Sequence, residues 1–162
     1  MTGQLGQSAA FGFCAALVLL GSELSAAQPK QSHAALVVYD DRGGLLLDRV
    51  RQVRSLRQNA KPVEIRGDIC FSTCTLLLGA RDVCVVATTV FGFHGPSYSG
   101  RPLDPNLFEH ASQVIAQHYP RDIRDWYLSE ARFTIDGLHT RSGQDLIDLG
   151  VPECTRTADA GT

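Results

Sequence analysis

The sequence predicts an α/β domain built on a mainly parallel sheet, and three observations carry that expectation. Short continuous apolar runs, the mark of strands buried on both faces, alternate along the chain with stretches of helical periodicity. The segment between the first two apolar runs, residues 45–62, is long enough for the crossover that parallel strands need. With 162 residues the chain suffices for one domain with a real core and hardly for two.

The elements follow in order. Ala34 to Val38 (AALVV) reads as a buried strand, closed by the loop Tyr39-Asp40-Asp41-Arg42-Gly43-Gly44. Leu46, Val50, Val53 and Arg57 then share one helical face, predicting a helix of about 13 residues that stops at Asn59 to Pro62. Val63 to Ile65 is a second short strand, followed by Gly67-Asp68 and Ile69-Cys70-Phe71-Ser72. Thr73 to Gly79 reads as a helix with glycine at its end. Val83 to Ala87 and Val90 to Phe93 read as strands, and Gly95 to Pro105 as a loop rich in Gly, Pro and Ser. Leu107, Ala111, Val114, Ile115 and His118 recur at helical spacing up to Pro120, and Asp122 to Arg132 predicts another helix. Ser142-x-x-Asp145 opens a last helix in the manner of a capping box.

The N-terminus carries an export pattern. Ala9 to Leu20 is an apolar run of 12 residues, too short for the roughly 20 that span a bilayer. Ser25-Ala26-Ala27 then places small residues at the −3 and −1 positions of a cut before Gln28. No Lys or Arg precedes Lys30, so the terminal amine is the only positive charge ahead of the run. The expected organisation is a signal peptide over 1–27, a domain over 28–155 and a small polar tail over 156–162, in a periplasmic or secreted protein. The alternative for the run is a buried helix.

Cleavage removes Cys14 and leaves Cys70, Cys74, Cys84 and Cys154, an even number that suits disulfides in an exported chain. Four cysteines allow three connectivities; Cys84–Cys154, a strand tied to the tail, is the preferred bond. Cys70-x3-Cys74 also admits a metal or redox pair, but no histidine stands at zinc-ligand spacing and a redox motif has two intervening residues. No metal or cofactor is expected. The formal net charge of −2 gives no nucleic-acid surface, and Arg49, Arg51, Arg54 and Arg57 read as a solvated helix face.

Three features could carry chemistry. Ser72 stands just past an apolar strand at the opening of a helix, where a serine is held on a sharp turn beside free backbone N–H groups. His94 closes the strand Val90-Phe91-Gly92-Phe93, at the sheet edge where open α/β folds place their sites. Gly43-Gly44 ends the loop after the first strand, where paired glycines can aim N–H groups at a ligand. A serine hydroxyl needs a neutral imidazole to take its proton during attack, and the resulting oxyanion needs waiting donors. Taken singly, each feature has a bland explanation: an N-cap, a packed histidine, a turn.

Their order resembles a known family. VVYDDRGG, LLLDRVRQVRSLRQ, VEIRGDICFSTCTLLLGA and VCVVATTVFGFHGP, spanning Val37 to Pro96, are similar to the proteolytic subunit of the Clp protease and its crotonase-fold relatives, and more closely to small exported bacterial proteins of that fold. SGQDLIDLGV, from Ser142 to Val151, extends the likeness. The resemblance implies a ClpP/crotonase-like fold with βαβ crossovers and a helical insertion over 105–132. It implies Ser72 as nucleophile, His94 as general base, and Gly43, Gly44 and Thr73 around the oxyanion. The family's third residue precedes the helix at Ser142; counting back reaches Leu138, and Asp136 is the nearest carboxylate. The substrate would be a peptide or another acyl compound, and the chain could form a homo-oligomer. The chain lacks the family's N-terminal docking region, and export would separate it from an ATP-driven unfoldase, so no such partner is expected. Phe108, Trp126 and Tyr127 in the insertion are expected in the core, and His110, His118 and His139 at the surface or in packing.

Three function classes stand open at this point: a serine hydrolase of peptidase type, a non-catalytic exported binding or assembly module on the same fold, and a thiol-redox or metal protein using Cys70 and Cys74.

Overall fold

The computed structural model describes residues 34–155; residues 1–33, where the expected signal peptide and Cys14 fall, and the expected tail 156–162 lie outside them. The first apolar run forms β1 (Leu36–Val38), and the amphipathic stretch after it forms α1 (Leu46–Gln58) with Val53 and Leu56 turned into the core. β2 (Val63–Ile65) lies parallel to β1, in register Leu36↔Val63, so α1 is the crossover that the sequence predicts. β4 (Val83–Val85) adds to β2, again parallel, giving the order β1-β2-β4.

The expected single sheet is in fact two. β3 (Ile69–Phe71) and β5 (Val90–Phe93) pair in parallel, and β8 (His139–Ser142) joins β5 antiparallel. The chain passes from β2 into β3 through Arg66, Gly67 and Asp68, and from β4 into β5 through residues 86–89. β2 and β4 thus each hand over to a strand of the second sheet at a short break. The Asp40 carboxylate holds one break by accepting from the N–H groups of Asp68 and Ile69. Thr89 Oγ1 spans both by donating to Gly67 O at 2.6 Å. The predicted strand to Ala87 therefore ends at Val85. β8 (HTRS) carries no apolar residue, so periodicity does not reveal it; its partner is the backbone of β5.

Two further elements depart from expectation. The helix after Ser72 is a 3-10 helix, Ser72–Gly79, buried from Thr73 to Gly79. A two-residue ribbon, β6 (Ser97–Tyr98) with β7 (Arg101–Pro102), interrupts the predicted loop through a turn at Ser99-Gly100.

The insertion comprises α2 (Pro105–Ala116) and α3 (Arg121–Ser129), followed by a 3-10 turn over Ala131–Phe133 in place of one helix to Arg132. Asp104 caps α2 by accepting from Leu107 N–H, and Pro105 opens it where a missing N–H costs nothing. Tyr119, Ile123 and Tyr127 are buried. Phe93 on β5 meets Tyr119 and Trp126 edge to face, at centroid distances of 5.5 and 5.2 Å. Tyr127 and Trp126 thus join the core as expected, while half-buried Phe108 stacks on Phe133 with the Arg132 guanidinium over both rings. His118 is buried, His110 exposed, and His139 stacks edge-on against Trp126.

Disulfides join Cys84 to Cys154 and Cys70 to Cys74. The first ties β4 to the chain's end, where Cys154 N–H donates to Val85 O and Val85 N–H to Pro152 O. Two such bonds suit an oxidising compartment. No helix among the described residues is long and apolar enough to cross a membrane. α4 (Gly143–Asp148) begins with the capping box read from Ser142 and Asp145.

Candidate active site

Ser72 and His94 lie 22 residues apart and meet because β3 and β5 are neighbours. The register pairs Phe71 with Gly92, so the residues just beyond each strand end emerge side by side at one edge. His94 Nε2 lies 2.7 Å from Ser72 Oγ. Ser72 itself has φ +56, a left-handed conformation that L-residues adopt at a cost of about 1–3 kcal/mol. Such strain persists only where the surroundings over-determine it. Here it turns the hydroxyl out of the strand-to-helix corner toward the imidazole.

The tautomer of His94 follows from its other nitrogen. Nδ1 lies 2.7 Å from Gly95 O. A carbonyl only accepts, so Nδ1 carries the proton and the bare Nε2 accepts from the Ser72 hydroxyl. The position beside Nδ1 is where a triad would hold its carboxylate, and a main-chain oxygen takes it. Asp136 lies on the loop before β8, at the same edge, and lines a depression with Ser72 and His94. It is exposed and makes no hydrogen bond to His94 among the described residues. The carboxylate thus sits near the pair without orienting it in this arrangement.

The glycine pair divides its tasks. Gly43 N–H donates to Asp41 Oδ1 at 2.7 Å, an Asx-turn, and Arg49 holds the other carboxylate oxygen, Oδ2. The Gly43 N–H is therefore engaged and not open to an oxyanion. What Gly43 supplies is space: at φ +96, a Cβ on it would stand 2.7 Å from Ser72 Cβ and 3.0 Å from Ser72 Oγ. The N–H groups of Gly44 and Thr73 have no protein acceptor among the described residues, and both residues line one cavity with Ser72 and His94.

That cavity measures about 460 Å³. Leu46, Leu76, Leu103, Leu107, Ala111 and Ile115 give it an apolar wall drawn from α1, the 3-10 helix, the loop before α2 and α2 itself, so the insertion forms one side of the site. Behind the pair, Thr75 Oγ1 lies 2.7 Å from both Ser72 O and Tyr119 OH, and Tyr127 OH donates to His94 O at 3.4 Å. Burial pushes both phenols far above their ordinary value, so they remain protonated.

Sequence reasoning passed over Gly95, Thr75, Tyr119 and Tyr127. Gly95 acts through its carbonyl, which leaves no side-chain signal, and the other three act from elements whose contacts are long-range. Asp41 carried a signal that went unused, since Asp two residues before a glycine is compatible with an Asx-turn. Cys70 and Cys74 are bonded to each other and fully buried, so neither offers a thiolate to a metal. Comparison with protein-family models, with curated proteins and with solved structures returned no match, and the reading of the site rests on its geometry.

Proposed function

We propose that this protein is a serine hydrolase of peptidase type, exported, on a fold of the Clp-protease and crotonase kind. The observation that carries the reading is the hydroxyl–imidazole pair at 2.7 Å with the opposite ring nitrogen held as a donor by Gly95 O. In this scheme Ser72 Oγ attacks an acyl carbon while Nε2 takes its proton. The carbonyl oxygen of the substrate becomes an oxyanion, received by the N–H groups of Gly44 and Thr73. The proton on Nε2 passes to the leaving group, and water then releases the acyl-enzyme by the same steps in reverse. Each oxyanion donor is worth about 3–4 kcal/mol of barrier. Support for the fold comes from the parallel β1–α1–β2 crossover and from the order of Gly43-Gly44, Ser72 and His94 along it. The two disulfides support export.

The test is labelling of the mature, oxidised protein with a fluorophosphonate, beside Ser72→Ala and His94→Ala. Labelling of the wild type that both substitutions abolish supports the reading. Folded wild type that resists the reagent refutes it. One observation favours a second reading, a binding module on a retired hydrolase fold: among the described residues no carboxylate is bonded to His94 to stabilise the imidazolium that forms during attack. A Ser72-dependent turnover would dispose of that second reading.

A further inference from the structure

We propose that the Cys70–Cys74 disulfide is the device that arms Ser72, so that the nucleophile is assembled only once the chain has been oxidised. This rests on the hydrolase reading of the Ser72–His94 pair. The bond joins the middle of β3 to the first turn of the 3-10 helix and closes a loop of sequence separation 4 with Ser72 at its centre. Both cysteines are fully buried.

Four observations converge on a positioning role. Ser72 holds φ +56, a conformation that needs outside constraint. The helix it opens has no side-chain cap at its start. What holds that start is the covalent bond at Cys74, together with Thr75 Oγ1 donating to Ser72 O. On the other side of the bond, Cys70 is registered to Phe91 on β5, the strand that leads directly into His94. The disulfide therefore passes the register of the histidine's strand to the turn that carries the serine. Finally, the entropic effect of a cross-link grows with the logarithm of loop length, so this short loop restrains the unfolded chain far less than Cys84–Cys154, at separation 70. Its consequence is local.

The chemistry is a two-electron oxidation. The thiols of Cys70 and Cys74 lose two protons and two electrons to form the S–S bond, and a disulfide oxidant, such as oxidised glutathione, is reduced to two thiols. A chain still in a reducing compartment would carry its serine unaligned. Cys70 and Cys74 are positioning residues here, with no contact to substrate.

The experiment compares oxidised mature protein, Cys70→Ala/Cys74→Ala and Cys84→Ala/Cys154→Ala by fluorophosphonate labelling rate and by near-ultraviolet circular dichroism on heating. A misplacement approaching 1 Å costs on the order of 100-fold in rate. The expected result is a labelling rate lowered by about 10- to 100-fold in folded Cys70→Ala/Cys74→Ala. The Cys84→Ala/Cys154→Ala protein should instead lose more of its melting temperature and, while folded, label close to wild type. Wild type refolded under reductant should label slowly and recover when oxidised glutathione is added. Folded Cys70→Ala/Cys74→Ala that labels at the wild-type rate overturns the proposal. If it does not fold, the volume-restoring Cys70→Val/Cys74→Ala takes its place, and failure of both to fold overturns a positioning role in favour of a purely structural one. Oxidised wild type that does not label overturns the hydrolase reading, and this proposal with it.

Discussion

Replacing Gly43 by alanine asks whether the loop after β1 is shaped around the serine. At φ +96 an alanine is strained by about 1–3 kcal/mol before any contact is considered. Its Cβ would then stand 2.7 Å from Ser72 Cβ, 3.0 Å from Phe71 O and 3.0 Å from Ser72 Oγ. Two of those neighbours are backbone or backbone-anchored atoms, so relief requires the turn to move by about 0.7 Å to reach ordinary contact. The pair distance of 2.7 Å has no room for such a shift. A displacement of this size predicts a fall of about 10- to 100-fold in the rate of fluorophosphonate labelling. Gly150→Ala is the matched control. Its φ of +90 carries the same backbone strain, and nothing lies within 4 Å of its added Cβ. It should lose stability as Gly43→Ala does yet label within about threefold of wild type, since it lies outside the cavity around Ser72 and crowds nothing there. Thermal unfolding of both variants separates misplacement from unfolding. Folded Gly43→Ala that labels like wild type would refute the argument that Gly43 is there to let the serine approach.

Three other predictions concern the loop before β8 and the start of α4. Asp136→Asn should change labelling by less than about fivefold, because Gly95 O already fixes the His94 tautomer, whereas loss of an orienting triad carboxylate costs about 10⁴; a loss of that larger size would restore Asp136 to the triad. At α4, Ser142→Ala should cost about 1 kcal/mol in urea unfolding. The Ser142 backbone N–H, donating to Asp145 Oδ2, and the Ser142 side chain hold the Asp145 carboxyl below its ordinary value. A folded value lower than the unfolded one means the box stabilises fully above the unfolded value and is lost as pH falls through the folded value. Acid titration of stability should therefore flatten in that window for Asp145→Asn, and an unchanged acid limb would count against the capping box.

What the sequence determined by itself was local. The apolar runs and the helical face of residues 46–58 placed β1, α1, β2 and β5, because their periodicity is a property of a few consecutive residues. Ser72, His94 and the glycine pair were legible as residue types at element ends. Ser142 and Asp145 were legible as a box for the same reason. The preference for Cys84–Cys154 also agrees with the structure. What only the tertiary structure decided depends on pairing between distant segments. The division into two sheets turns on short breaks at Gly67 and Thr89 that carry no periodic signal. The polar strand β8 exists because β5 offers it a backbone edge, not because its own residues favour burial. The 2.7 Å contact between Ser72 and His94 comes from the β3–β5 register. The partner of His94 Nδ1 is a main-chain oxygen, and every residue has one; which carbonyl arrives there is settled by packing alone. The same holds for Gly43, whose N–H a sequence reader would leave free for an oxyanion. The fold spends it on Asp41, since a carboxylate two residues back reaches that N–H before any substrate can.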